Sequence, residues 1–222
     1  MGRAPRMDIA DIVYHVINRA NARAQIFDTP DDYRQFETIL TEAKERISMR
    51  IMAYCIMPNH WHLILQPKKD GDLSSFMHWL TLTHTQRWHS LMETIGSGHL
   101  YQGRYKAFPV QTDEYFLWVC RYVERNPLRA KLVKRAEHWQ WGSAWKRINR
   151  KECHLLDPWP TPQPNDYLSW LNEQEEDELL KNLRTSVNRG MPFGNELWNE
   201  KMIKKFNLHT TVVPRGRPKK GT

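Results

Sequence analysis

The chain has 222 residues, of which 40% are hydrophobic and 26% charged, enough for a packed core and too apolar for a disordered chain. Lysine and arginine outnumber aspartate and glutamate by 33 to 25, a net charge of +8, and such a balance suits a polyanionic partner. No run approaches the roughly 18 apolar residues of a membrane span, and "MGRAPRMDIADIV" lacks a signal peptide's apolar core. The expected setting is therefore cytoplasmic, with no membrane role, and the expected polyanion is nucleic acid.

Along the chain, "IVYHVINRA" (12–20) alternates as a strand, and "DTPDDYRQF" carries a capping pattern. That pattern opens a helix with Phe36, Ile39, Leu40 and Ala43 on one face. "RIMAYCIM" (50–57) and "HWHLILQ" read as two strands of a hairpin turning at Pro58-Asn59. Asp72 begins a long helix carrying Phe76, Trp79, Leu80, Thr83, Leu91 and Ile95. "GSGHLYQGRYKAFPV" is a glycine-spaced basic and aromatic loop that runs into a short strand. "TDEYFLWVCRYVERNPLRA" is a helix over 112–126, with Thr112 as its N-cap and Pro127 ending it.

"DPWPTPQPND" (157–166) reads as a Pro-rich linker. An acidic amphipathic helix over 166–185, a short helix near 195–206 and the basic tail "PRGRPKKGT" follow it. Strands that meet through a hairpin and alternate with helices give an α+β class, with an antiparallel or mixed sheet covered by helices. The chain divides into a principal domain over 1–150 and an extension over 151–222. Cys55, Cys120 and Cys153 have no ligand spacing and read as reduced core thiols.

Chemistry concentrates in "IMPNHWHLIL". In a strand His60, His62 and Ile64 point to one face while Trp61, Leu63 and Leu65 point to the other. Two imidazoles side by side on a rigid element can occupy two positions of one metal, or be two satisfied histidines at a sheet end. The 112–126 helix offers what would decide the matter. Tyr115, Val119, Tyr122 and Asn126 recur at helical spacing, and Tyr122 and Asn126 lie one turn apart, roughly 6 Å along the axis. Should that face lie over the histidines, Asn126 could supply an amide oxygen and Tyr122 a phenol. Two imidazoles, an amide oxygen and open positions suit Mg²⁺ or Mn²⁺ holding a phosphate oxygen. The phenol would then be a nucleophile for in-line displacement at phosphorus. Tyr115 is the rival nucleophile, roughly 16 Å from Asn126 along the axis.

Candidate DNA-contacting cations are Arg19, Arg104 and Lys106, the i, i+4, i+8 stripe Arg121, Arg125 and Arg129, and Arg215 and Arg217 of the tail. The stripe reads either as a phosphate track or as a solvated helix face.

Four blocks, "YHVINRANARAQIF", "YCIMPNHWHLIL", "GHLYQGRYKAF" and "RYVERNPLRAKLV", stand in that order over residues 10–145. Together they resemble the single-strand DNA tyrosine transposases of the His-hydrophobic-His superfamily, in particular the REP-associated tyrosine transposases of bacteria. The resemblance implies a ferredoxin-like antiparallel sheet and a divalent metal on His60, His62 and Asn126, with Tyr122 as nucleophile. It further implies palindromic single-stranded DNA folded as a hairpin as substrate, and action as a monomer, although some relatives exchange the tyrosine helix in a dimer. "NRGMPFG" and "PRGRPKK" look like the glycine-arginine-proline elements of longer relatives. Two other readings compete: a hairpin-binding protein that does not cut, and a protein with structural zinc at the histidine pair.

Overall fold

The computed structural model describes residues 7–149 and 154–213. Cys153, Arg215 and Arg217 lie outside them, as does the tail. Strand β1 (Val13–Arg19) leads to helix α1 (Pro30–Arg46), whose start is fixed by a capping box. Thr29 accepts from the Asp32 backbone N–H while the Asp32 carboxylate accepts from Thr29, two otherwise orphaned donors satisfied together. The hairpin joins β2 (Met49–Met57) to β3 (His60–Pro67), and its register sets Met57 opposite His60. Helix α2 (Asp72–Leu91) then carries the chain to β4 (Lys106–Val110).

The sheet order is β2-β3-β1-β4 with every pair antiparallel. Each helix spans a crossover between strands that are not neighbours, which is the expected ferredoxin-like plan. Its two faces bury different things. On one, Tyr14, Val16, Trp61, Leu63 and Leu65 meet Phe36, Ile39 and Leu40 of α1 and Phe76, Met77 and Leu80 of α2. Trp61 is wholly buried there and donates from Nε1 to the Tyr101 hydroxyl at 2.9 Å. The bulky residue between the two histidines is thus a core anchor, and truncating it to alanine would cost about 3–5 kcal/mol.

On the opposite face, Val13, Ile17, Cys55, Ile64 and Phe108 meet α3 (Glu114–Glu124), through Phe116, Val119, Cys120 and Val123. This is the face onto which His60 and His62 project.

Local expectations are refined in several places. Asp113, not Thr112, caps α3, accepting from the Tyr115 N–H at 3.0 Å. The helix breaks at Arg125, and Pro127 lies in the first turn of a further short helix, α4 (Asn126–Arg129), where its missing N–H costs nothing. In α2 the buried stripe is Leu73, Phe76, Met77, Leu80 and His84; Leu91 at its end is exposed, and Ile95, expected on the same helix, lies beyond it and is exposed. After α5 (Ser143–Asn149), the acidic region is two helices, α6 (Tyr167–Asn172) and α7 (Asp177–Arg189), followed by α8 (Glu196–Phe206) and a last turn, α9 (His209–Val212).

The Pro-rich segment is laid along the outer edge of β2. Asp157 donates its N–H to Ile51 O and accepts from Ile51 N, both at 2.8 Å, and Trp159 Nε1 donates to Met52 O. An edge strand otherwise exposes a row of unpaired amides, and these bonds satisfy part of it. On the far side Phe193, within "NRGMPFG", pairs with Val110 at the edge of β4. Its ring, with Leu183 and Val187 of α7, enters the same core as α3. Cys55 and Cys120 are free and buried, as expected. No helix among the described residues is long and apolar enough to cross a membrane.

Candidate active site

The two histidines differ in setting. His60 is half-buried, and its Nδ1 lies 2.7 Å from Asn59 Oδ1. His62 is 2% exposed, with Nδ1 2.8 Å from Nε2 of the wholly buried His15. The His60 and His62 rings are 5.1 Å apart between centroids. Burial, with the Arg19 charge, depresses His60 to about 4, and burial holds His62 well below its ordinary value. Both rings are therefore neutral near pH 7. With each Nδ1 engaged, Nε2 is the atom left for a ligand.

Helix α3 brings Tyr122 over this pair. Its ring stands edge-on to His62 at 5.9 Å and to His15 at 6.2 Å. The side chain is buried, and burial raises the phenol above its ordinary pKa while Arg129, Arg184 and Arg19 pull it back. Asn126 donates from Nδ2 to Tyr122 O and Val123 O, so its amide carbonyl is not engaged by these bonds. Tyr115 goes elsewhere: its ring packs on Trp118 and Phe193 at 4.8 and 5.4 Å. Those contacts give Tyr115 a packing role.

Two neutral imidazole nitrogens, those of His60 and His62, are donors that suit a divalent cation such as Mg²⁺ or Mn²⁺, and the Asn126 amide oxygen, on the helix that follows Tyr122, is of the kind that could add to them. Among the described residues no group of three or more His, Cys, Asp or Glu is assembled that could hold a metal. A closed zinc site of the structural kind thus finds no support there.

The arginine stripe does not form an open track. Arg121 and Arg125 are 8% and 7% exposed, and they donate to Glu173 O and Leu171 O. Glu175 pairs with Arg125 at 3.1 Å and with Arg129 at 2.9 Å. The end of α6 and the acidic "NEQEED" junction that leads to α7 supply these partners, so the stripe is turned inward against the extension. Arg129 also lies over the Tyr122 ring, 4.1 Å from its centroid.

Positive charge is presented instead along a groove of about 700 Å³ between the 102–107 segment and the end of α7. Arg19, Arg104, Tyr105, Lys106, Asn188 and Arg189 line it. Arg19 stands opposite His60 in the β1–β3 register, which joins the groove to the histidine pair. Its Nε is buried without a hydrogen-bond partner among the described residues. Of the expected cations, Arg19, Arg104 and Lys106 thus share one surface.

Sequence reasoning missed His15, Arg184 and Arg189. His15 was legible in part: it alternates with Ile17 and Arg19 in β1, on the face of the histidine pair once the register is known. The arginines of α7 reach the site only because the extension folds back onto the sheet.

A family model described as "Transposase IS200 like" matches residues 8–126, a span containing both histidines, Tyr122 and Asn126. The fold is similar to that of a solved REP-associated tyrosine transposase bound to a REP hairpin, at a TM-score of 0.57 and 16% identity over 80% of this chain and all (100%) of that one. A candidate transposase of Deinococcus radiodurans R1 aligns at 19% identity over 56% of this chain and 95% of its own, with a TM-score of 0.40. No curated protein sequence matches the chain.

Proposed function

Because the chain belongs to the IS200-like transposase family, we propose that it is a REP-associated tyrosine transposase, cutting and joining single-stranded DNA folded as a hairpin. The observation that carries this reading is the edge-on placement of the Tyr122 ring 5.9 Å from His62, on a strand whose His60 stands opposite Arg19 of the basic groove. A hairpin-bound REP-associated transposase of the same fold supports the choice of substrate.

In this mechanism the groove holds the strand, with Arg19 guiding the scissile phosphate toward His60. Nε2 of His60 and His62, with Asn126 Oδ1, would hold Mg²⁺ or Mn²⁺. Bound there, the cation supplies charge neutralisation at the phosphate and orientation for in-line attack. The Tyr122 oxygen forms the new bond to phosphorus, and the bond to the 3′ oxygen breaks. The phenol loses its proton and the departing 3′ oxygen gains one. The strand is left attached by its 5′-phosphate to Tyr122, and a second 3′-hydroxyl resolves that bond by the reverse exchange, so no nucleotide cofactor is consumed. Burial opposes ionisation of the phenol, while Arg129, Arg184 and Arg19 favour the anion as it forms.

Incubation with single-stranded REP-like hairpins and Mn²⁺, followed by a denaturing gel, tests the proposal. A covalent adduct in the wild type and in Tyr115→Phe, and none in Tyr122→Phe, is expected. Hairpin binding without adduct in the wild type would instead favour a protein that binds and does not cut.

A further inference from the structure

His15 has no task in the reaction above, yet its place on the catalytic face is costly. It is wholly buried on β1, and its Nδ1 finds no hydrogen-bond partner among the described residues. An apolar side chain would fill the same space without stranding a polar atom. Its other nitrogen is fully engaged: Nε2 lies 2.8 Å from Nδ1 of His62. The two ring planes are parallel within 8° with centroids 5.0 Å apart, the near-coplanar arrangement that an in-plane N–H···N bond requires, and Phe108 closes one side edge-on at 4.9 Å. His15 therefore cannot swing away, and neither can the nitrogen it presents to His62.

We propose that His15 is a positioning residue for the metal ligand His62, accepting the His62 Nδ1 proton and so leaving the His62 Nε2 lone pair for the cation. This rests on the metal reading given under the proposed function. A neutral imidazole carries one N–H and one lone pair, and whatever binds the first decides where the second points. Metal-ligating histidines ordinarily give that N–H to a carboxylate, a backbone carbonyl or water. Here a second imidazole takes the role. His60 is held in a comparable way, with Nδ1 against the Asn59 amide oxygen. Both ligands thus lean on neutral acceptors, which do not raise ligand basicity as a carboxylate would.

The test is Mn²⁺ binding to the DNA-free full chain by calorimetry, for wild type, His15→Leu and His15→Gln. Hairpin binding in chelator serves as the check that each variant is folded. Leucine removes the acceptor at similar volume and should weaken Mn²⁺ binding about tenfold or more. Glutamine restores an acceptor near the position of Nε2 and should stay within about threefold of wild type. Unchanged Mn²⁺ affinity in a folded His15→Leu variant overturns the proposal. Absence of Mn²⁺ binding by the wild type fails the metal reading itself, a distinguishable result. Should the leucine variant not fold, ¹⁵N-histidine spectra of the wild type at saturating Mg²⁺ decide. A proton on His62 Nδ1 coupled across the hydrogen bond to His15 Nε2 is expected. A proton on His62 Nε2, or one carried by His15 Nε2, overturns the assignment.

Discussion

The guanidinium of Arg129 covers the Tyr122 ring at 4.1 Å and pairs with Glu175 at 2.9 Å, so an acid of the C-terminal extension is one side chain removed from the proposed nucleophile. Arg129 also donates to the Tyr122 backbone carbonyl. The charge over the ring steadies its orientation and favours the phenolate. Replacing Arg129 with alanine should slow adduct formation on saturating hairpin by about tenfold, since a desolvated cation–π contact is worth roughly 1–2 kcal/mol. Single-turnover gels would read this, and an unchanged rate would remove Arg129 from any role at the nucleophile.

Glu175 should matter more for stability than its surface-like sequence context suggests. Its side chain is 11% exposed and serves two arginines, Arg125 and Arg129, the first of them buried. Removing one partner from a buried ionic cluster leaves charge uncompensated, so Glu175→Ala should cost about 3 kcal/mol or more. Thermal unfolding against wild type and against the double variant Glu175→Ala/Arg129→Ala measures it, and the double variant should lose less than the sum of the single losses. A wild-type Tm in Glu175→Ala would mean that the pairs are loose in solution.

The proposed metal ligands should act as a set. His60→Ala, His62→Ala or chelation should each abolish cleavage of the hairpin, and combining the two substitutions should add little to either alone. Mg²⁺ or Mn²⁺ should restore chelated wild type and neither variant. Cleavage that persists in excess chelator would rule the cation out.

Stability should fall as the pH drops below about 6.5. His15 and His84 are buried and neutral, depressed by burial to about 3, while each titrates near 6.5 when unfolded. Because the unfolded chain binds protons that the fold refuses, this contribution is complete above pH 6.5 and is lost as pH falls from there toward 3. The slope is about 1.4 kcal/mol per pH unit for each histidine. Denaturant midpoints at pH 7, 6 and 5 should therefore decline progressively, with uptake of about two or more protons on unfolding at pH 5. A flat midpoint over that range would mean these rings are charged in the fold.

Salt dependence should locate the DNA. Alanine at Arg19, Arg104, Lys106 or Arg189 should each lower the slope of log K against log salt by about 0.7–0.9, while Arg121→Ala, whose guanidinium faces the extension, should leave the slope intact. Deleting residues 214–222, with Arg215 and Arg217, should reduce the slope by up to about three or four and leave the chemistry on saturated substrate unchanged. Fluorescence anisotropy at several salt concentrations distinguishes these outcomes, and an Arg121 effect equal to that of Arg104 would return the stripe to the DNA interface.

What the sequence determined by itself was local. Alternation in "HWHLIL" placed the histidines on one face and Trp61 on the other, because side-chain direction in a strand depends only on parity. Spacing along 112–126 put Tyr122 and Asn126 on one helix face for the same kind of reason, and the Thr29–Asp32 capping pattern marked the start of α1. None of this could say that α3 lies over His62, that His15 stands beside it, or that Tyr115 packs on Phe193. Those contacts join residues dozens of positions apart, and their geometry comes from strand register and from the packing of α3 and α7 on a shared core. The arginine stripe makes the distinction plainest. Its i, i+4, i+8 spacing is the same whether it faces solvent or protein, and only the return of the acidic junction between α6 and α7 decided that Arg121, Arg125 and Arg129 face inward.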